Sequence, residues 1–305
     1  MRTAYLAADG FQDQLAAELH YARVAIAERH GNLFLTEADA INAAWSLNTW
    51  RATERIEVTS VGNAAEALRA RQRNWCALAV SHRGRCGLIV DKLPYIAAKP
   101  LALGQPAPAS PLGSFTLLTP TLRLAAASCT SPFPNGQPTF VVDHDGPPNR
   151  AYLKLWEALA LLRAAPVAGA QVLDLGASPG GWTWSLARLG AQVTAVDRAP
   201  LDDQVMAMPN VRWRGESAFG MDPRAHTDVD WVFSDIIAYP NKILALAQRW
   251  IAAHPTVTLV FTIKLQGPTD FGVIDEFRQL PDARVVHLST NKNELTLLRR
   301  ASQSS

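Results

Sequence analysis

Two kinds of hydrophobic spacing divide this chain of 305 residues. In its second half, short continuous apolar runs alternate with longer stretches whose apolar residues recur every three or four positions. Continuous runs are typical of strands buried on both faces, and the wider spacing is typical of helices that pack on a sheet. The predicted strands are QVLDL, QVTAVD, VRWRG, DWVFSD, TVTLVFTIK, ARVVHLS and ELTLLRR. This alternation predicts an α/β domain with a mostly parallel, Rossmann-like sheet that is covered by helices on both faces.

Helices are predicted before and between these strands. They cover RAYLKLWEALALLRAA, a stretch that begins at Trp182, NKILALAQRWIAA and DFGVIDEFRQL. The last two strands are joined only by the short polar stretch TNKN and can therefore pair antiparallel. Asp174, Asp197, Asp235 and Lys264 each fall at the C-terminal end of a predicted strand. Because ligands of open sheets bind outside that end, we expect these side chains to line one crevice.

The first part of the chain has a mixed pattern. RTAYLAA and NLFLTE predict strands, FQDQLAAELHYARVAIAE and EADAINAAWSL predict helices, and CALAVSH with CGLIVD predicts a hairpin around RGR. The proline-rich stretch that follows predicts an extended connection with two short strands. We therefore expect a smaller mixed α/β region over 1–98, a connection over 99–148 and the α/β domain over 149–305.

Composition excludes several classes of protein. Apolar residues make up 48% of the chain and charged residues 18%, which suits a folded core and not a disordered chain. Cys76, Cys86 and Cys129 are odd in number and widely spaced, so they predict neither a disulfide framework nor a metal site. No apolar run reaches the roughly 18 residues of a membrane span, and no secretory leader pattern is found. We expect a cytoplasmic protein that binds neither a membrane nor a metal.

Positive charge is concentrated over residues 60–100, which contain seven basic residues and two acidic ones. Such an excess suits a phosphate backbone, and Trp45, Trp50 and Trp75 nearby can stack on bases. The same features are also typical of a solvated helix face beside a core that contains the tryptophans. The patch alone does not separate these interpretations.

The strand QVLDL ends in the loop DLGASPGGW, which contains Gly176, Gly180 and Gly181. Glycine permits close approach of a ligand to the backbone, and the following helix offers unpaired N–H groups. The spacing is not the G-x-G-x-x-G of dinucleotide sites, Pro179 stands where a pyrophosphate needs amides, and no Gly-Lys-Ser/Thr follows. Asp197, at the end of the next strand, can accept hydrogen bonds from a ribose diol. The loop therefore favours a nucleoside without a pyrophosphate, of which S-adenosylmethionine is the commonest, although packing alone can also require glycines there.

DLGASPGGWTWSL resembles the cofactor loop of the FtsJ-type ribose 2′-O-methyltransferases, which follows the pattern D-L-G-x-x-P-G-G-[WF]. The resemblance covers about residues 149–300 and implies an S-adenosylmethionine-dependent methyltransferase fold with a catalytic set of two lysines and two acids. That set falls here on Lys154, Asp235, Lys264 and Glu294. The implied cofactor contacts fall on Gly176, Ser178, Pro179, Gly180, Gly181, Trp182, Asp197, Ser217 and Asp235.

Within this family the chain is similar to the ribosomal large-subunit methyltransferase M group, in the helix LKLWEA, in DIIAYPNK and in GF near the start. That group modifies a cytidine ribose of large-subunit rRNA and carries an N-terminal RNA-binding region with a THUMP-type domain. The resemblance implies the same substrate class and a diverged, THUMP-like RNA-binding region over residues 1–98. It leaves open which nucleotide is modified, whether naked rRNA or an early assembly particle is the substrate, and the oligomeric state.

Two departures from the family pattern concern the cofactor. The acid expected near the adenine is replaced in RGESAF by Ser217, with Glu216 beside it. The serine-rich stretch expected before the first helix reads Asn149, Arg150 and Ala151. These departures are the only support for an alternative, a non-catalytic RNA-binding or ribosome-assembly factor with this fold. A methyltransferase that acts on another RNA is a further alternative.

A ribose hydroxyl is a poor nucleophile because it is almost wholly protonated near neutral pH. A lysine takes up that proton only when burial or a neighbouring cation lowers its pKa. We expect Lys264 to act on the hydroxyl, as general base or as the charge that stabilises a developing alkoxide, with Lys154, Asp235 and Glu294 positioning it. No histidine pair with metal-ligand spacing and no G-x-S-x-G motif offers a competing mechanism.

Overall fold

The computed structural model describes residues 2–96, 98–143 and 145–301. The chain divides into two compact units. The N-terminal unit comprises Met1–Pro100 and Ala107–Thr139, and the C-terminal unit comprises Leu101–Pro106 and Phe140–Ser305. The proline-rich stretch therefore contributes to both units, and in the C-terminal one Leu101 forms a parallel bridge with Phe140.

The N-terminal unit contains two sheets. Its elements are β1 Thr3–Ala7, α1 Gln12–Tyr21, β2 Ile26–His30, β3 Leu33–Thr36, β4 Ser46–Arg51, β5 Glu54–Glu57, α2 Val61–Arg69, β6 Trp75–Ala77, α3 Arg83–Val90, β7 Gly113–Leu117, β8 Leu122–Ala126 and β9 Ser128–Cys129. One sheet is antiparallel, in the order β2-β3-β1-β4-β9. The other has the order β5-β8-β7-β6, with β6 and β7 parallel. The strands predicted in RTAYLAA and NLFLTE are confirmed as β1 and β3.

Two predictions in this unit are wrong where a residue enters the left-handed region. The first helix ends at Tyr21, because Arg23 at φ 57° turns the chain and the next residues join β2 instead. RGRCGLIV forms α3 and not the second strand of a hairpin. His82 at φ 48° precedes this helix, and Cys86 and Ile89, three positions apart, are buried with residues of α2 in one core. The helical spacing was hidden inside an apolar run.

A buried carboxylate explains a third difference. Residues 37–45, most of a predicted helix, are irregular, because Glu18 accepts the N–H groups of the last two of them at 2.8 and 2.9 Å. The tryptophans of this unit are core residues: Trp45 and Trp50 are fully buried and Trp75 is 2% exposed. Their interpretation as core is therefore confirmed, and the interpretation as base-stacking side chains is wrong.

The C-terminal unit is an α/β domain, as predicted. Its elements are α4 Tyr152–Leu162, β10 Gln171–Leu175, α5 Gly181–Arg188, β11 Gln192–Val196, α6 Asp203–Met206, β12 Val211–Arg214, β13 Trp231–Ser234, α7 Pro240–Ala253, β14 Thr258–Lys264, α8 Phe271–Arg278, β15 Ala283–Val286 and β16 Glu294–Arg299. The sheet has the order β12-β11-β10-β13-β14-β16-β15. Its strands are parallel except β16, which is antiparallel to β14 and β15. The antiparallel pairing of the last two strands is thus confirmed.

Both faces of this sheet are covered. Val172 and Phe233 share one core with Leu155 of α4 and Leu186 of α5. The neighbouring residues of β10 and β13, whose side chains point to the other face of the sheet, are also buried. This explains why the strands have continuous apolar sequences. The chain leaves β10 toward one edge through β11 and β12 and returns to the other side at β13. The C-terminal ends of β10 and β13 therefore flank the switch point where ligands of open sheets bind.

Candidate active site

The glycine loop that follows β10 is fitted closely to its neighbours. Gly176 has φ +77°, and a Cβ there would lie 2.6 Å from Ile236 Cγ1. Gly180 has φ +116°, and a Cβ on Gly181 would lie 2.3 Å from Asn149 Oδ1. Side chains at these positions would meet protein atoms. Packing within the protein therefore accounts for part of the glycine requirement, as the alternative interpretation of the loop expected.

Two aspartates hold the loop in place through hydrogen bonds. Asp174 is buried at the end of β10 and accepts the Thr183 hydroxyl of α5 at 2.6 Å. Burial raises the pKa of Asp174 to about 7, against the opposing effect of the Thr183 hydrogen bonds. Asp197 directly follows β11 and accepts the N–H groups of Ser178 at 3.1 Å and Ala199 at 3.0 Å. The carboxylate at the second strand end therefore lies against the loop.

The turn into α5 leaves backbone donors available. Among the described residues, no acceptor is found for the N–H groups of Gly180 and Gly181, although both residues are buried. Buried N–H groups are almost always paired in native proteins, so the position calls for an acceptor from a ligand. Pro179 offers no N–H, and its carbonyl accepts Asp202 N–H at 2.9 Å. Free amides beside a carboxylate that can accept from a ribose diol suit a nucleoside.

Two predicted cofactor residues occupy different surroundings. The Trp182 indole is 4% exposed, packs edge-on against Phe233 and donates to Ala151 O at 2.8 Å. The side chain belongs to the core, so Trp182 can contact a ligand of the loop only through its backbone. Ser217 follows β12, at the same edge of the sheet as Asp197, and is partly exposed. Its neighbour Glu216 forms an ion pair with Arg214 at 2.5 Å.

The four residues of the predicted catalytic set lie together at the C-terminal ends of the parallel strands. Lys154 projects from α4, Asp235 directly follows β13, Lys264 ends β14, and Glu294 begins β16 opposite Lys264 in the register. Lys154 Nζ lies 2.9 Å from Glu294 Oε1 and 3.2 Å from Asp235 Oδ1. Lys264 Nζ lies 3.2 Å from the same Asp235 oxygen and 2.7 Å from the Asp235 carbonyl. One carboxylate oxygen thus joins both ammonium groups.

The two lysines differ in how they are held. The Lys154 side chain is 12% exposed. Burial opposes its charge, but Asp235 and Glu294 outweigh that effect and raise its pKa. Lys154 is therefore a fixed cation. Lys264 is 21% exposed. Its ammonium donates a hydrogen bond to the Asp235 carbonyl and forms an ion pair with Asp235 Oδ1, and no other polar partner is found for it among the described residues.

Comparison with known proteins identifies the domain. Residues 147–287 match the model of the FtsJ-like methyltransferase family. The C-terminal unit carries an FtsJ-like methyltransferase domain. The resemblance predicted from the loop DLGASPGGW is thereby confirmed.

Relatives with a curated name are similar over about half of the chain. Ribosomal RNA large subunit methyltransferase M of Azoarcus sp. (strain BH72) is 34% identical over 168 residues, 52% of this chain and 44% of the relative. The protein of the same name from Alkalilimnicola ehrlichii (strain ATCC BAA-1101 / DSM 17681 / MLHE-1) is 32% identical over 57% of this chain and 51% of the relative. The chain thus spans about half the length of the curated relatives it matches. Among solved structures, TrmN from Thermus thermophilus covers 98% of this chain and 99% of its own at 14% identity, with a weak TM-score of 0.35.

Two polar residues of the FtsJ-like domain outside the predicted catalytic set hold the backbone near Lys154. Glu157, one helical turn after Lys154, is buried and accepts both N–H and hydroxyl of Ser289 at 2.8 and 2.7 Å. Burial raises the pKa of Glu157 to about 7. An acid inside the apolar helix LKLWEALALL was the available signal, because a buried carboxylate needs partners. Asn149 accepts Ala151 N–H at 2.9 Å where the family pattern has serines.

Two kinds of feature are absent from the described residues. They contain no group of three or more His, Cys, Asp or Glu that could hold a metal ion. None of the helices of the described part is both long enough and apolar enough to cross a membrane.

Proposed function

We propose that this chain is an S-adenosylmethionine-dependent RNA ribose 2′-O-methyltransferase whose substrate is a cytidine of large-subunit rRNA. The observation that carries the proposal is the cluster in which one Asp235 oxygen joins Lys154 and Lys264 beside the glycine loop. The shared name of the curated relatives supports large-subunit rRNA as the partner. We further propose that the mixed α/β region over 1–98, with its basic stretch, docks RNA, and that the reaction takes place in the cytoplasm.

S-adenosylmethionine, when bound, supplies an activated methyl group. The groups that would hold it are the free amides of Gly180 and Gly181, the Asp197 carboxylate and the Ser217 hydroxyl. The carboxylate suits a ribose diol, because it keeps acceptor capacity beyond the two backbone amides that it already binds. Asp235 adds a negative charge at the same edge, where a sulfonium needs one. Of the predicted cofactor residues, Gly176, Ser178, Pro179 and Trp182 would shape the loop.

The residues of the cluster divide the work on the ribose hydroxyl. Asp235 and Glu294 hold Lys154 as a permanent cation. Asp235 contacts Lys264 through its carboxylate and its carbonyl and would thereby position the ammonium for the substrate. We assign Lys264 as the general base that would take the proton of the ribose hydroxyl, so that the oxygen could accept the methyl group that S-adenosylmethionine would supply. If Lys264 instead stays charged, it stabilises the developing alkoxide and the proton leaves to water.

The test is transfer of labelled methyl to unmodified large-subunit rRNA, followed by digestion to nucleosides. Wild type is expected to place label in 2′-O-methylcytidine, and Lys264→Ala is expected to abolish it. Arg224→Ala is the matched control, since Arg224 is an exposed basic residue between β12 and β13 and lies outside the cluster. Lys264→Arg separates the two roles, because a guanidinium keeps the charge but cannot act as a base.

The outcomes distinguish the alternatives. Label confined to bases, protein or small molecules would refute ribose methylation. Label in a ribose of a different RNA would keep the reaction and replace the substrate. A protein that binds RNA but neither binds S-adenosylmethionine nor transfers methyl would be an assembly factor with this fold.

A further inference from the structure

The loop between Asp235 and α7 exposes two large side chains beside the cluster. Ile237 is 78% exposed and Tyr239 is 58% exposed, and we call them the exposed pair. Ala238 between them is buried, and Ile236 before them lies against Gly176. Because burial alternates along this segment, both members of the exposed pair project away from the protein.

The backbone that carries the exposed pair is well anchored. Tyr239 directly precedes Pro240, the first residue of α7, and its carbonyl accepts the N–H groups of Lys242 at 3.0 Å and Ile243 at 3.3 Å. Proline restricts the backbone at this position, and it begins the 14-residue helix α7. At the other end, a Cβ on Gly176 would lie 3.2 Å from the Ile236 backbone, so the loop is held there too. The exposed pair is therefore presented by fixed backbone at both ends.

The surroundings favour a nucleic acid over a protein or lipid surface. Large exposed apolar groups beside a functional site mark a contact surface. Residues 236–269 include three basic residues and no acidic one. Of these, Arg249 donates to the carbonyls of Phe219 and Met221, whereas Lys242 is exposed one turn from Tyr239. A flat ring with an exposed cation on the same helical turn suits one nucleotide, with its base on the ring and its phosphate near the amine.

We propose that Tyr239 stacks on a base of the RNA strand that enters the site, with Ile237 against the edge of the base and Lys242 facing a phosphate. The proposal rests on the proposed function and specifies its substrate as an unpaired nucleotide. A base within a duplex is covered on both faces by its neighbours, so it cannot stack on a side chain until it leaves the helix.

The experiment measures binding of the full chain to two probes, a short single-stranded cytidine oligomer and an RNA hairpin stem, by fluorescence anisotropy. Tyr239→Ala is expected to weaken binding of the single strand about five- to hundredfold, the range of one base–aromatic stack, with little effect on the stem. Tyr239→Phe is expected to bind like wild type, because among the described residues the Tyr239 hydroxyl has no partner. The control is Val167→Ala, a side chain that is 72% exposed before β10, at the opposite edge of the sheet.

Three results would overturn the inference: unchanged single-strand binding by Tyr239→Ala, an equal loss on the hairpin stem, or a Tyr239→Phe variant as weak as Tyr239→Ala. The first is also what a protein partner on the exposed pair would produce. None of these measurements requires methyl transfer, so the two proposals fail separately. Selective loss of single-strand binding without any transfer to rRNA would remove the proposed function alone. Transfer by Tyr239→Ala with an unchanged KM for rRNA would remove the stacking contact alone.

Discussion

Replacing Asp174 by asparagine tests whether the buried end of β10 carries a proton. Asp174 is 1% exposed, and burial raises its pKa from 3.8 to about 7. A difference of about three pH units corresponds to roughly 4 kcal/mol at 1.36 kcal/mol per unit. Because the folded-state pKa is raised, the native protein binds more protons than the unfolded chain between these values. The contribution to stability is therefore complete below about pH 4 and is lost as the pH rises through about 7.

Asp174→Asn keeps an acceptor for the Thr183 hydroxyl but carries no titrating proton. We expect its free energy of unfolding in urea to match wild type within about 1 kcal/mol at about pH 4, where the contribution of the wild-type carboxyl is nearly complete. At pH 8 the variant should be more stable, by an amount on the order of 4 kcal/mol at most. Asp203→Asn, at an exposed aspartate of α6, is the matched control and should show no such dependence. A difference between Asp174→Asn and wild type that does not change with pH would refute a protonated Asp174.

Three further predictions test other parts of the account. Gly176→Ala should weaken S-adenosylmethionine binding at least about tenfold in calorimetry, because its Cβ would meet Ile236, whereas Gly169→Ala, with a similar φ of +84° and open space, should not. Glu157→Ala should lower unfolding free energy by about 2–3 kcal/mol, because Ser289 loses both acceptors, and should slow methyl transfer; a neutral variant would contradict the supporting role. Arg123→Met should be neutral or stabilising in urea by about 1–4 kcal/mol, because the fully buried Arg123 has two nitrogens without a partner among the described residues; a strong loss would show a missing partner.

The fold of the C-terminal domain could be predicted because its local sequence patterns agree with its tertiary structure. Strands buried on both faces need continuous apolar sequence, and each acid or lysine at a strand end breaks such a run visibly. Lys264 at the end of TLVFTIK is the clearest case. Its contact with Asp235 followed from the rule that parallel strands end at one edge, whereas the distances between the four side chains could not be read from spacing.

The N-terminal unit was less predictable because tertiary contacts decide its local structure. Glu18 binds backbone amides 26 and 27 residues away and thereby prevents a helix that the local pattern favours. The apolar residues of α3 are consecutive and do not mark one face of a helix. Their sequence therefore resembled that of a strand. In the C-terminal domain, the burial of the Trp182 side chain in the core could likewise not be read from the loop motif. Long-range hydrogen bonds and burial are not visible in local sequence.

The central claim is that Lys264 acts chemically at this site, and single-turnover methyl transfer measured together with S-adenosylmethionine affinity tests it most directly. For Lys264→Ala, the account predicts a rate lower by about 10²–10⁴, the range of a proton-transfer group, with little change in cofactor affinity or RNA affinity. A rate that falls only in proportion to lost cofactor or RNA binding, or that does not fall, would contradict the account.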